Sequence, residues 1–241
     1  MTKISILLPT RERPELVTKS IVSLLGNAKD PTRIEVLIAI DDDDIVSQHF
    51  FKSNAWYDVA NAFPGTQFDV FQTQRYGYLG LFRYVNFLAK QSTGDFLMFW
   101  NDDATMLTED WDKSIDANKD YFGLLRMPCI NHQHPFALFP IIPRKWVDLF
   151  GCVSLVNHSD WWIYNVCKPI GRVKDIPVDV FHNRADITGE NNDEVYKTNS
   201  YALDGRNPNH LDDYSHPQRR KDREDWTNTL MLYGFPHKGN D

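Results

Sequence analysis

The chain has 241 residues, of which 42% are hydrophobic and 24% are charged, and its formal net charge is -7. This length suits one large α/β domain or one domain with a tail. The hydrophobic fraction is sufficient for a sizeable core and excludes wholesale disorder. The acidic balance argues against general nucleic-acid binding, which requires a surplus of lysine and arginine to displace counterions from phosphates.

Cysteine usage and hydropathy predict the compartment. The three cysteines, Cys129, Cys152 and Cys167, form no CxxC pair, and so sparse and odd a count is typical of a reducing environment. The first apolar run, residues 4–8, is too short for the core of a signal peptide. No stretch approaches the roughly twenty apolar residues that span a bilayer. We therefore expect a cytoplasmic protein with no transmembrane segment.

Short apolar runs alternate with helical patterns over the first hundred residues. Nearly continuous apolar runs predict buried strands at 4–8, 34–40 and 95–100, with a weaker strand at 68–71. Apolar residues at helical spacing predict one helix that begins at Pro14 and ends at Gly26, and another over 79–91. This alternation predicts right-handed crossovers and a Rossmann-type, mostly parallel sheet flanked by helices.

The second half of the chain is less regular. We predict strands near 121–126, 136–142 and 178–181 and helices over 143–150 and 159–167. Residues 185–241 form a polar C-terminal extension outside the domain 1–184. Its last predicted helix, 219–233, carries Trp226, Leu230 and Tyr233, which would pack on the domain or form a homodimer contact.

Two predicted strands run directly into acidic residues. Asp41 to Asp44 follow the strand at 34–40, and Asn101, Asp102 and Asp103 follow the strand at 95–100. Ligands of an open parallel sheet bind outside the carboxyl ends of its strands, so both clusters should face one crevice. Clustered carboxylates need a cation or hydrogen-bond donors, and oxygen ligands favour Mg²⁺ or Mn²⁺, which bind phosphates. We therefore predict a metal-assisted phosphate site; the alternative is two solvated acidic turns.

Four segments, taken in order, resemble the family-2 glycosyltransferases with the GT-A fold. They are residues 4–11, 38–42, 81–86 and the run from 93 to 103, which contains a small-glycine-acid sequence followed by a DxD-like motif. The resemblance covers roughly residues 3–182. The first position of the DxD-like motif is Asn101, one carboxylate fewer than in the family.

The resemblance implies a catalytic domain that moves a sugar from a nucleotide diphosphate sugar to the hydroxyl of a glycan or other acceptor. UDP is the donor nucleotide that the family favours. The implied metal ligands are Asp103 and His182, with Mn²⁺ or Mg²⁺ as cofactor, although a lone histidine is more often structural. The implied nucleotide and donor contacts are Pro9, Thr10, Arg11, Asp41, Asp42, Arg83 and Asp102.

Asp160 occupies the position of the family's acidic helix start, which implies the general base of an inverting transfer. A carboxylate there faces the crevice and lies in the favourable field of the helix dipole. The alternative role is that of a first-turn or capping acid. Trp161, Trp162 and His134 are candidate acceptor contacts, and the two tryptophans suit the core equally well.

Two other classes of function stay open at this point. A nucleotidyltransferase acting on sugar phosphates would also place strand-end carboxylates around a cation, but residues 9–14 lack its glycine-rich loop. A non-catalytic module that binds nucleotide sugars or carbohydrates is the second alternative, and Asn101 favours it. The sequence has neither a Walker motif nor GxGxxG, which argues against a P-loop NTPase and a typical dinucleotide enzyme.

Overall fold

The computed structural model describes residues 1–132, 134, 136–189, 197 and 210–233. Its strands are β1 (Ile4–Pro9), β2 (Ile34–Asp41), β3 (Gln67–Thr73), β4 (Phe96–Phe99), β5 (Ala104–Met106), β6 (Leu124–Arg126), β7 (Pro140–Pro143), β8 (Val173–Asp175) and β9 (Val180–His182). Its helices are α1 (Pro14–Gly26), α2 (Ile45–Phe50), α3 (Asn54–Asn61), α4 (Leu81–Gln91), α5 (Asp112–Asp116), α6 (Lys145–Phe150), α7 (Ser159–Cys167), α8 (Ala185–Thr188) and α9 (Pro217–Tyr233).

The main sheet has seven strands in the order β3-β2-β1-β4-β7-β6-β8. Strand β1 lies between β2 and β4 and runs parallel to both, and β3 continues the parallel half. Strand β7 is antiparallel to β4 and β6, and β8 runs parallel to β6. The predicted α/β class with a mostly parallel sheet flanked by helices is confirmed.

The parallel half of the sheet is covered on both faces. Ile6 and Leu8 of β1 belong to the core cluster that includes α1, whereas Leu7 belongs to the cluster that includes α4 and α7. A strand with apolar neighbours on both sides has no solvent-facing positions. This is why the sequence of β1 and β2 is apolar almost without interruption.

Several short elements were not predicted. Helices α2 and α3 lie between β2 and β3, and the three-residue strands β5 and β8 follow later in the chain. Asp44 caps α2 by accepting a hydrogen bond from the Ser47 backbone N–H at 2.9 Å, and Ser53 caps α3. Asp44 is fully buried, so this residue of the acidic run is not part of a solvated turn.

Helix α9 packs against the chain's own α6 and α7. Trp226 stacks on Phe150 with ring centroids 4.2 Å apart and meets Trp162 edge-on at 5.2 Å. Leu230 is fully buried, while Tyr233 is exposed. The packing of the tail on the domain thus accounts for Trp226 and Leu230, and a homodimer contact stays a prediction. Residues 190–196, 198–209 and 234–241 of the predicted extension lie outside the described residues.

The described residues contain no disulfide and no helix that could span a membrane. All three cysteines are free thiols. Across residues 1–189 and 210–233, apart from the undescribed positions 133 and 135, no helix has both the length and the apolar character needed to cross a membrane.

A buried carboxylate joins the starts of the central strands. Glu35, which is 1% exposed, accepts hydrogen bonds from the Ser5 hydroxyl at 2.5 Å and the Gly94 N–H at 3.1 Å, and it pairs with Lys3 at 2.7 Å. Burial acts to raise its pKa, but the hydrogen bonds from Lys3, Ser5 and Thr93 lower the pKa of Glu35 to about 2. This cluster ties the turn before β4 to β1 and β2, and the three strands start in register with one another.

We expect Gly94→Ala to lower the free energy of unfolding by about 1–3 kcal/mol, the usual cost of overpacking. A Cβ at residue 94 would lie 2.4 Å from Ser5 Oγ and 2.8 Å from the Ser5 backbone nitrogen, so β1 or the cluster must shift. Gly26→Ala is the matched control, because a Cβ there meets nothing within 4 Å. Urea unfolding measures both variants, and equal stability would contradict this account of the cluster.

Candidate functional site

A cavity of about 390 Å³ opens at the carboxyl ends of β1, β2 and β4. The acidic clusters that follow β2 and β4 therefore contribute to one crevice, as the strand pattern predicts. Helix α7 and strand β9 complete its wall. The predicted site residues that line it are Pro9, Thr10, Arg11, Asp41, Asp102, Asp103, Asp160 and His182.

Two of the predicted donor contacts lie elsewhere. Asp42 is exposed, and its backbone N–H continues the pairing toward β3 by donating to the Thr73 carbonyl at 2.7 Å. Arg83 is exposed on α4 and pairs with Asp212 at 2.5 Å. Neither is among the described residues that line the cavity. Asp41 is thus the member of the predicted Asp41/Asp42 pair that faces the crevice.

The candidate acceptor contacts are likewise outside the cavity lining. Trp162 is fully buried against Trp226, so it fills the core, which was its alternative interpretation. Trp161 lies against Tyr214, with centroids 4.7 Å apart, and the Arg223 guanidinium covers its ring at 4.8 Å. His134 packs edge-on against Phe136. Their roles toward an acceptor stay predictions.

The carboxylate of Asp41 is held from two directions. Arg11 Nη1 donates to its Oδ2 at 2.9 Å, and the Tyr84 hydroxyl donates to its Oδ1. Burial and this bond to Asp41 raise the pKa of Tyr84. The same Arg11 nitrogen lies 2.5 Å from Asp43 Oδ1. Arg11 therefore bridges the buried and exposed parts of the acidic run.

Asp102 and Asp103 have opposite electrostatic surroundings. Asp102 accepts from the Thr10 hydroxyl at 2.7 Å and lies 3.3 Å from Arg13 Nη1, yet burial raises its pKa above the ordinary range. For Asp103, burial acts in the same direction, but the hydrogen bond from His182 lowers its pKa. At neutral pH Asp103 is therefore the more strongly acidic of the two adjacent carboxyl groups.

The Asp103 and His182 pair fits one side of a divalent cation site. Asp103 Oδ1 and His182 Nε2 lie 3.0 Å apart. Two ligands about 2.1 Å from an octahedral ion, at right angles, are about 3 Å apart. Within the described residues no group of three or more His, Cys, Asp or Glu side chains could hold a metal. A cation bound by these two atoms would need phosphate oxygens or water to complete its shell.

Asp160 lies in the first turn of α7 and lines the cavity. Burial raises its pKa to about 6, although the Trp161 backbone N–H donates to its Oδ1 at 2.8 Å. A carboxylate with a pKa near the working pH is well suited to exchange a proton with a ligand.

Several basic and polar residues that line the cavity were not predicted, including Arg75 and His158. Arg13 and Arg184 line it, as does Tyr84. Arg13 follows β1 by four residues and lies in the same loop as Arg11, which the resemblance had implied as a donor contact. Arg184 follows the candidate ligand His182, whereas Tyr84 fills one of the two unspecified positions between the arginine and the asparagine of the third resembling segment. Tyr84 shares the inward face of α4 with Leu81, Val85 and Leu88, and helical periodicity would have placed it there.

No protein-family model matches the chain, and no curated protein matches it by sequence. Solved structures do match it. The mannosyltransferase PcManGT from Pyrobaculum calidifontis, in complex with GDP-Man and Mn²⁺, superimposes with a TM-score of 0.62 at 11% identity, covering 96% of this chain and 74% of that one.

TarS from S. aureus is a second structural neighbour. Its fragment 1–349 gives a TM-score of 0.55 at 13% identity over 97% of this chain and 81% of that one. The same fragment in complex with UDP-GlcNAc gives a TM-score of 0.51 at 13% identity, covering 96% of this chain and 73% of that one. The resemblance to nucleotide-sugar-dependent glycosyltransferases of the GT-A type is therefore confirmed at the level of the fold.

We expect Asp160→Asn to remove part of the pH dependence of stability. Because the pKa of Asp160 rises from 3.8 to about 6 on folding, the folded state binds the proton more tightly, and stability falls as pH rises from about 4 to 6. The variant should therefore equal the wild type near pH 4 and exceed it by up to about 3 kcal/mol near pH 7.

Urea unfolding at pH 4, 6 and 8 measures this difference. The control is Asp120→Asn, which changes an exposed carboxylate. A stability difference between Asp160→Asn and the wild type that is constant across this pH range would contradict the burial effect on Asp160.

Proposed function

We propose that the protein is a glycosyltransferase that moves a sugar from a nucleoside diphosphate sugar to an acceptor hydroxyl. The observation that carries the proposal is the single cavity in which the carboxyl ends of β1, β2 and β4 meet Asp160 and His182. The structural neighbours support it, since PcManGT holds GDP-Man and Mn²⁺ and TarS holds UDP-GlcNAc. The donor we favour is a UDP-sugar, as the resemblance implies.

The proposal divides the cavity between nucleoside and diphosphate. Asp41, buried at the end of β2, accepts hydrogen bonds and would receive them from the base or ribose. Arg11 and Arg13 supply positive charge in the loop after β1, where a diphosphate would be attracted. Thr10 and Asp102 lie beside this loop and would contact the ribose or the donor sugar.

Asp103 and His182 are the proposed ligands of a divalent cation. One carboxylate and one imidazole form a mixed oxygen and nitrogen set, which favours Mn²⁺ over Mg²⁺. When bound, such a cation neutralises the negative charge that develops on the departing diphosphate. Asn101 contributes no charge to this set, and its side-chain nitrogen lies 3.2 Å from His182 Nε2.

Asp160 is the proposed general base of an inverting transfer. The acceptor oxygen forms a bond to the anomeric carbon as the bond from that carbon to the phosphate oxygen breaks. Asp160 takes the proton of the acceptor hydroxyl, and the nucleoside diphosphate leaves. Attack on the face opposite the leaving group inverts the anomeric configuration.

We expect one nucleoside diphosphate to stabilise the protein, and Mn²⁺ to increase the effect. At 100 times the dissociation constant, a ligand specific for the folded state adds about 2.7 kcal/mol, which corresponds to a rise in Tm of roughly 5–10 °C. Asp103→Asn should lose the part of the shift that depends on Mn²⁺, because it removes a proposed ligand.

A thermal-shift panel of UDP, GDP and dTDP, with and without Mn²⁺, makes this measurement. Asp58→Asn is the control, since Asp58 is an exposed acid on α3. If no nucleoside diphosphate stabilises the wild type, the proposed donor site is wrong.

We expect Asp160→Asn to lower sugar transfer by about 10²- to 10⁴-fold, the usual contribution of a general base. Binding of the nucleoside diphosphate should be unchanged, because Asp160 acts on the acceptor. Release of the nucleoside diphosphate from UDP-GlcNAc and GDP-mannose, with water or a panel of glycans as acceptor, measures the rate. Full activity in a folded Asp160→Asn protein that binds nucleotide would exclude Asp160 as the base.

Two further outcomes would indicate the other two candidate functions. Pyrophosphate release from a nucleoside triphosphate and a sugar phosphate would indicate a nucleotidyltransferase. Tight nucleotide-sugar binding with no turnover would indicate a binding module.

A further inference from the structure

The hydroxyl group of Tyr84 makes every hydrogen bond available to it. Tyr84 lies on α4 and is 6% exposed. Its hydroxyl donates to Asp41 Oδ1 and accepts from the backbone N–H groups of Tyr76, at 2.7 Å, and Gly77, at 3.2 Å. A phenol has one donor and two acceptor positions, so all three are used.

These three bonds connect two walls of the cavity. Asp41 ends β2, whereas Tyr76 and Gly77 belong to the loop between β3 and α4. Asp41, Gly77 and its neighbour Tyr78 all line the cavity. Gly77 has a φ of 68°, a conformation that favours glycine. The Tyr84 hydroxyl therefore sets the spacing between the buried carboxylate and a loop with an unusual backbone conformation.

The second partner of Asp41 is shared with another carboxylate. Arg11 Nη1 contacts both Asp41 and Asp43, and the Asp43 side chain is 46% exposed. The pair with Asp41 is itself largely buried, since the Arg11 side chain is 19% exposed and that of Asp41 is 5% exposed. The contact with Tyr84 is buried as well, and burial strengthens a hydrogen bond that is fully satisfied. The orientation of the Asp41 carboxylate thus depends on Tyr84 together with Arg11.

We infer that Tyr84 is a positioning residue for the nucleoside part of the donor. The inference rests on the proposed function. The Tyr84 hydroxyl holds the Asp41 carboxylate and the loop at residues 75–78 at the separation in which a nucleoside fits between them. Tyr84 acts through these groups and takes no part in the chemical step.

Tyr84→Phe tests this role with a minimal change. The ring stays and keeps its edge-on contact with Tyr76, whose centroid is 5.1 Å away. The two N–H groups and the carboxylate lose their common partner. We expect the Kd for the nucleoside diphosphate and the KM for the donor to rise roughly 10- to 100-fold, from the cost of such unpaired buried groups. The kcat should stay within about twofold of the wild type.

The probes are UDP, GDP and dTDP in calorimetric titrations, and UDP-GlcNAc and GDP-mannose for kcat and KM of donor hydrolysis. Tyr57→Phe is the matched control, because Tyr57 is an exposed tyrosine on α3. An unchanged Kd and KM in Tyr84→Phe, or a fall in kcat and Tm with KM unchanged, would overturn the positioning role. A wild type that binds none of the nucleotides would instead refute the proposed function.

Gly77→Ala gives a second test that leaves Tyr84 and Asp41 in place. A Cβ at residue 77 meets nothing within 4 Å, so the substitution acts through the strained φ alone. We expect the same selective rise in Kd and KM. If Gly77→Ala binds nucleotide as the wild type does, the loop is not a wall of the nucleoside site and the inference is wrong.

Discussion

The buried carboxylates at the carboxyl-end edge of the sheet must be stabilised by hydrogen-bond donors from the surrounding structure. Asp41, Asp44 and Asp102 are buried there, and an isolated ionised carboxylate in the interior would cost several kcal/mol. Each has two or more hydrogen-bond donors, from Arg11 and Tyr84, from the backbone of Glu12 and Ser47, and from Thr10 and Arg13. The loop after β1 contributes to all three carboxylates, so its conformation depends on them.

The backbone of this loop shows that dependence. Glu12 has a φ of 55°, which is uncommon for a residue with a side chain. Its N–H donates to Asp44 Oδ2 at 2.9 Å and to Ser47 Oγ at 3.1 Å. Such a conformation persists only where surrounding contacts determine it, and strained residues concentrate at functional sites. The buried acids thus hold the loop in the shape that directs Arg11 and Arg13 to the cavity.

The sequence predicted the part of the site that follows from long buried strands. Strands β1, β2 and β4 are apolar on both faces, so their ends, and the acids after them, could be located. The choice between Asp41 and Asp42 stayed open, because it depends on the residue at which β2 ends. A shift of one residue moves a side chain to the opposite face of a strand.

Other features had weaker signals in the sequence. Strands β5 and β8, which were not predicted, have three residues each, too few for a hydrophobic period to be recognised. Arg83 was selected by its motif, but the apolar face of α4 contains Leu81, Val85 and Leu88, which places Tyr84 inward and Arg83 outward. The motif and the helical periodicity indicate different residues of α4 as facing the cavity, and the structure agrees with the periodicity. The burial of Trp162 depends on α9, which is distant in sequence.

The aspartate carboxyl groups of the cavity differ in pKa because their surroundings differ. The hydrogen bond from His182 lowers the pKa of Asp103, so this group is ionised at neutral pH. Burial raises the pKa of Asp160 to about 6, so this group gains and loses a proton near neutral pH. Distinct roles for acids in one site require their pKa values to be moved apart in this way. Because all of these groups are aspartates, residue type alone does not distinguish them, and the difference comes from the fold, which places His182 beside Asp103 and buries Asp160.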